Sequence, residues 1–234
     1  MKLFKLAVFL GIFISTGLLS KAEIKIPEVK TETLNINKNE NYEIIKPIFI
    51  DNVKFKEVND EINRLIDVKE IGKLERSSCI EDSEECENYM YQVTPEIIYA
   101  DDNVISLVID RFIYTGGAHG NGRRYSFLAD RKTGKLITNT LKNNNKEIFD
   151  KIQKFIETNS LGIFFDFEEY TADGLLEKAV VYQTGKNTIS VMYMDYAIAP
   201  YIIRSPEFIY NVQTKKLYFL NNYVDSAPEK IELK

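Results

Sequence analysis

The run Val104-Ile-Ser-Leu-Val-Ile-Asp-Arg-Phe-Ile-Tyr-Thr-Gly-Gly-Ala-His-Gly-Asn-Gly122 decides the fold class. Its first eleven residues are apolar at nearly every position, which predicts a strand covered on both faces. A parallel α/β sheet would follow such a strand with a helix. Here a glycine-dense connection follows instead, and Tyr125 to Leu128 reads as another strand. Four of the chain's eleven glycines (Gly116, Gly117, Gly120, Gly122) fall within seven positions, around the single histidine, His119. Glycine serves where backbone turns sharply or approaches another group closely.

Outward from this stretch, short strands and turns dominate. Residues 23–41 alternate weakly as a first strand and turn. Tyr42 to Ile50 reads as a second strand, with Pro47 pointing to an edge position. Phe55, Val58, Ile62, Leu65 and Ile66 step by three and four, predicting a helix capped by Asp51 or Asn52. Asp130-Arg-Lys-Thr-Gly134 reads as a hairpin turn, with Lys135 to Thr138 returning from it. A second helix carries Ile148, Ile152, Phe155 and Ile156, with Asn143 to Asn145 as its cap. Strands 179–183, 188–194, 207–212 and 216–220 complete the core. The order predicts an α+β fold: two long helices packed on mostly antiparallel sheets, an order that also allows two similar lobes. Expected divisions are residues 1–22, an N-terminal lobe 23–100, a C-terminal domain 101–220 holding the glycine-rich histidine loop, and a polar tail 221–234.

Residues 1–22 read as a secretory signal: Lys2 and Lys5, an uncharged run from Leu6 to Ser20, then Ser20-Lys-Ala22. That run falls short of the ~20 residues a spanning helix needs, although an uncleaved anchor is the alternative. The expected product is extracytoplasmic, periplasmic or secreted, with no stable membrane span. Removing the signal takes three lysines and no acid, moving the formal net charge from −5 to −8. Such a surface repels nucleic acid and favours basic partners. Cys79 and Cys86 are the only cysteines, and in an exported protein that spacing reads as a disulfide, with a metal site as the alternative. The four carboxylates between them read as a solvated tip.

Catalytic patterns are sparse. One histidine and two paired cysteines do not make a zinc site, and no cofactor or metal is expected. The glycine loop lacks the Lys-Ser/Thr ending of a phosphate loop and the GxGxxG spacing. No GxSxG elbow is present to supply a serine nucleophile. Asp166, Glu168, Glu169 and Asp173 cluster among aromatics, where either glycoside chemistry or a solvated amphipathic segment is consistent with the pattern. Candidate ligand-binding residues are Tyr114, Gly116, Gly117, His119, Asn121, Arg123 and Tyr125; the alternative is that this loop only turns the chain between core strands.

Taken together, Arg111-Phe-Ile-Tyr-Thr-Gly-Gly-Ala-His-Gly-Asn121, Asp130-Arg-Lys-Thr-Gly-Lys135, Phe164-Phe-Asp-Phe-Glu168 and Tyr196-Ala-Ile-Ala-Pro-Tyr201 resemble the bacterial extracytoplasmic family called domain of unknown function 3298. Its smaller N-terminal partner domain would correspond to residues 30–100. Ala197 stands where the family pattern has an acid. The resemblance implies an envelope-facing recognition module, as in the lysozyme-sensing outer domain of the anti-sigma-V factor and the non-catalytic part of some peptidoglycan deacetylases. Five residues precede the apolar run and no deacetylase domain follows, so neither signalling nor deacetylation is expected. The expectation is a binding module without its own catalysis, recognising a protein (lysozyme-like) or a peptidoglycan ligand. The alternative is an envelope hydrolase using the acids near 166–173.

Overall fold

A computed structural model describes residues 29–33, 41–49, 51–66, 90–114, 120–158, 161–165, 170–200, 203, 205–221 and 229–233. The signal-like segment 1–22, Cys79, Cys86, Gly116, Gly117, His119, Asp166, Glu168 and Glu169 lie outside the described residues.

Two five-stranded sheets carry the fold. The first contains β1 (Val29–Thr33), β2 (Asn41–Phe49), β3 (Met90–Ala100), β4 (Val104–Tyr114) and β5 (Asn121–Asp130) in that spatial order. Every pairing in it is antiparallel except β2–β3, which runs parallel from Asn41–Ile44 against Met90–Val93. A parallel pair needs a crossover, and α1 (Lys56–Leu65) lies within it. The second sheet is an antiparallel meander of β6 (Val180–Gly185), β7 (Thr188–Met192), β8 (Glu207–Asn211), β9 (Lys216–Asn221) and β10 (Glu229–Leu233).

The α+β class holds, but the expected pair of long helices does not. Four helices are described: α1, α2 (Thr138–Asn143), α3 (Glu147–Thr158) and α4 (Ala172–Lys178). The two expected ones correspond to α1 and α3, of 10 and 12 residues. At 6 and 7 residues, α2 and α4 are too short to show a clear helical period. For α4 the local signal is its cap: Thr171 Oγ1 accepts from the Gly174 N–H at 3.1 Å. Neither expected cap, Asp51 or Asn52 for α1 and Asn143 to Asn145 for α3, forms as read. Asp51 Oδ1 instead receives the Lys54 N–H in the turn before α1, and the Asn145 amide donates back to Leu141 O. The two sheets do not repeat one arrangement, because the first embraces a crossover and the second follows its helices as a plain meander. β4 pairs with β3 and β5 with β4, so residues 104–130 complete the first sheet. Residues 229–233, read as part of a polar tail, form an edge strand that packs Ile231 and Leu233 on the core.

Pro47 has a local explanation. The β2–β3 pairing ends at Ile44, so from Ile45 to Phe49 the one described strand beside β2 is β1. At the far end of that stretch the buried Asn59 side chain replaces a strand: its Oδ1 accepts from Phe49 N–H and its Nδ2 donates to Phe49 O, both at 3.0 Å.

The cores follow from the alternation. Ile105, Leu107 and Ile109 face α1 and pack with Phe55, Val58, Ile62 and Ile66. Val108 faces the opposite way, against Tyr182 and Met192 of the second sheet. Both faces of β4 are therefore covered over 105–109, which is why its sequence shows no polar alternation there. Behind the second sheet, Ile148, Phe149, Ile152 and Ile156 of α3 pack on Val181, Val191, Phe208 and Phe219. Each such side chain contributes about 1.5–3 kcal/mol on burial.

Asp130-Arg-Lys-Thr-Gly134 is a self-supporting turn. Asp130 Oδ1 accepts from the N–H groups of Lys132 and Thr133 and from Thr133 Oγ1, and the Thr133 contacts hold its carboxyl below the ordinary value. Gly134 has φ +72°, and a Cβ there would stand 1.9 Å from Lys54 O.

Candidate functional site

Beyond Asp110 the second sheet no longer covers β4, and Phe112 is already 37% exposed. The start of β5 borders the same opening. There a cleft of about 580 Å³ runs between Gly120–Tyr125 and the Met194–Tyr196 connection. It continues past Gly122 and Arg123 to Asp110, Arg111, Ser205 and Glu207. The volume lies in the range of small-ligand sites.

Of the sequence candidates, Asn121, Arg123 and Tyr125 line this cleft. Tyr114 ends β4 opposite Met90 and is not part of the lining. Gly116, Gly117 and His119 lie outside the described residues. Two glycines of the motif differ in kind. A Cβ at Gly120 would sit 2.2 Å from the Phe112 ring and 2.9 Å from Ile113 O, so close packing demands glycine. A Cβ at Gly122 would meet nothing within 4 Å.

The floor is a polar chain that sequence reading missed. Asp110 and Arg124 are direct cross-strand partners, joined by two 2.7 Å bonds from Nε and Nη2 to the carboxylate. Arg124 Nη1 then donates to Tyr182 OH at 3.3 Å, and its head lies 5.7 Å from the Tyr182 ring. Tyr182 donates to Glu207 Oε1 at 2.9 Å, and Ser190 Oγ donates to the same oxygen. Hydrogen bonding to Asp110 raises the Arg124 pKa above its ordinary value, so the guanidinium stays charged. Burial pushes the Tyr182 hydroxyl up to about 12, and the Glu207 charge adds to that. Two thioethers complete the surround: Met194 Sδ accepts the Arg124 N–H at 3.3 Å and Met192 Sδ lies 3.8 Å from Nη1. These partners are 58–70 residues from Arg124, so no local pattern announces them.

Among the described residues, every carboxylate in the lining is engaged. Asp110 holds Arg124, Glu207 takes Tyr182 and Ser190, and Asp195 Oδ1 accepts from Ser205 N–H and Oγ at 2.8 and 2.9 Å. Arg123 is exposed and has no ion pair among the described residues, while Arg111 stacks 5.5 Å from the Tyr125 ring centroid. The site therefore presents cations, aromatic faces and open backbone. Among the described residues no three potential metal ligands converge, and no helix is long and apolar enough to cross a membrane. Asp173, of the acidic cluster, lies in the first turn of α4 with its side chain 88% exposed, 3.7 Å from Lys146 Nζ.

A family model described as deacetylase PdaC matches residues 19–122, a little under half of the chain. The glycine–histidine motif lies inside that match, at its end. No curated protein matches. Among solved structures, a DUF3298 family protein from Pseudomonas aeruginosa PAO1 is 16% identical, with a TM-score of 0.46 over 77% of this chain and 89% of that one. A member of the same family from Bacteroides fragilis is 12% identical, with a TM-score of 0.42 over 80% and 91%. The chain resembles the domain of unknown function 3298 family and, over residues 19–122, the deacetylase PdaC family.

Proposed function

We propose that the protein is an exported, envelope-facing binding module that recognises a protein or cell-wall ligand at the cleft beside β5. One observation carries the reading: the cleft is lined by the exposed Asn121 and Arg123, while each carboxylate among its described lining residues is committed to a hydrogen bond within the fold. Committed carboxylates do not act as general acid and base without first breaking those bonds. Export is supported by the signal-like residues 1–22. The rival reading is an envelope hydrolase using Asp166, Glu168, Glu169 and Asp173.

The test uses the protein from residue 23 onward. Capture by purified cell wall and calorimetric titration with lysozyme are measured beside a Gly122→Phe variant, which fills the cleft where space is open. Binding to either ligand, weakened at least tenfold in the variant with its melting temperature unchanged, supports the reading. Silence with both ligands overturns it. Soluble fragments released from cell wall, and lost on Asp166→Asn or Asp173→Asn, would put the hydrolase in its place.

A further inference from the structure

We propose that this cleft takes an uncharged sugar ring of a glycan chain, stacked on Tyr196 and hydrogen-bonded at its rim by the Asp110–Arg124 pair. The proposal rests on the binding reading above and names the ligand chemistry.

Alternation decides which side chains of the first sheet meet the cleft. Val108 faces the second sheet, so Asp110 and Phe112 leave the same face of β4. Their direct cross-strand partners on that face are Arg124 and Gly122. The Phe112 ring leans over Gly120, and where a side chain at Gly122 would project there is open space. The cleft floor is therefore a half-exposed ion pair next to an exposed aromatic ring and a notch.

Across the opening stands a turn that the core does not explain. Ala197 N–H donates to Met194 O at 2.9 Å, and Tyr196, the third residue of that turn, has φ +64°. Glycine is the residue such a position favours, and a bulky aromatic there is strained. The turn is pinned from both sides: Asp195 Oδ1 accepts from Ser205 N–H and Oγ, and Met194 Sδ accepts the Arg124 N–H. Tyr196 itself lines the cleft and is 53% exposed. Burial does not account for a ring held that way, and strained backbone of this kind concentrates at ligand sites.

Charge selects the ligand. The described lining holds three carboxylates, Asp110, Asp195 and Glu207, and three guanidinium groups, Arg111, Arg123 and Arg124. It carries no formal excess of either sign, in a chain whose acids outnumber its bases. Arg124 takes one bond to each Asp110 oxygen, yet the Asp110 side chain is 44% exposed. Each oxygen keeps room for a second donor, in a plane the fork holds fixed. Hydroxyl groups both donate and accept, so they suit this pair without disturbing its charge balance. A sugar ring adds an apolar C–H face that packs on an aromatic ring while its hydroxyls stay at the rim. A cleft of about 580 Å³ holds a short run of such rings and no folded domain.

The test is calorimetric titration of the protein from residue 23 onward with three β-1,4-linked tetramers. Those of N-acetylglucosamine and glucose are uncharged; that of glucosamine is cationic. At least one uncharged tetramer should bind with a Kd of about 1 mM or tighter, at least tenfold tighter than the glucosamine tetramer. Tyr196→Gly should weaken that binding roughly tenfold and leave the melting temperature unchanged or higher, because glycine relieves the positive φ. Tyr196→Phe keeps the ring and should stay within about threefold of the parent. Asp110→Asn, titrated well below its melting temperature, should also lose roughly tenfold. Binding of neither uncharged tetramer, tighter binding of the glucosamine tetramer, or indifference to Tyr196→Gly would each overturn the proposal. Cell-wall and lysozyme capture are measured on the same preparations. Capture retained without binding of either uncharged tetramer removes this inference alone, whereas loss of all capture removes the binding reading as well.

Discussion

Replacing Asp110 with alanine removes the anion that anchors Arg124, and Arg124 hydrogen-bonds Tyr182 from the first sheet to the second, beside the apolar contact of Val108. The Asp110 side chain is 44% exposed and that of Arg124 24%. The pair therefore falls between exposed pairs, worth about 0.2–1 kcal/mol, and buried ones, where removing a partner costs about 3–5 kcal/mol. Two 2.7 Å charge-assisted bonds place it above the exposed range. Water reaching nearly half of Asp110 keeps it below the buried one. We expect Asp110→Ala to cost about 2 kcal/mol, or about 4–8 °C in melting temperature for a chain of this length. Arg124→Ala should cost about 3 kcal/mol, because the contacts to Tyr182 and both thioethers go with it. Urea unfolding of the two single variants and the double variant closes a cycle, with an expected coupling of about 1–2 kcal/mol. Most of it should persist in about 1 M salt, since the arginine is three-quarters covered. A coupling below about 0.5 kcal/mol would refute the idea that this pair joins the sheets.

Three further outcomes are expected. Asn59→Ala should destabilise by about 2–4 kcal/mol in urea titration, because it strands both the N–H and the C=O of Phe49 in the interior. Gly134→Ala should cost about 1–3 kcal/mol, as its Cβ would overlap Lys54 O at a positive φ; Gly122→Ala, with open space around it, should stay within about 0.5 kcal/mol. The Tyr182 phenol ionises near 12 in the fold against 10.0 ordinarily. Raising a phenol's pKa favours the folded state fully below pH 10, and that contribution is lost as pH rises through 12. The urea midpoint should therefore fall between pH 10 and 12, less steeply in Tyr182→Phe.

What could be read in the sequence was what a few neighbouring residues encode. The unbroken apolar run of β4 announced cover on both faces, and α1 and α3 announced themselves by residues three and four apart. The Asp130-to-Gly134 turn is decided by one carboxylate and a glycine within five positions. The same locality placed Asn121, Arg123 and Tyr125 at the candidate site. Arg124 escaped, although it is adjacent to Arg123, because its meaning depends on Tyr182, Met192 and Met194, far along the chain. The strand β10 escaped as well: alternating Glu229-Lys-Ile-Glu-Leu233 gains its worth only by pairing with β9.

From its residues alone, then, the chain determined which segments extend, coil or turn, because those choices rest on side-chain alternation, backbone freedom and capping within a few positions. Tertiary structure alone decided that β2 runs parallel to β3, that the second sheet lies against Val108, and that Arg124 reaches Tyr182 of that sheet. Those outcomes depend on which distant surfaces bury each other, and burial of apolar area carries no direction that a local pattern could record.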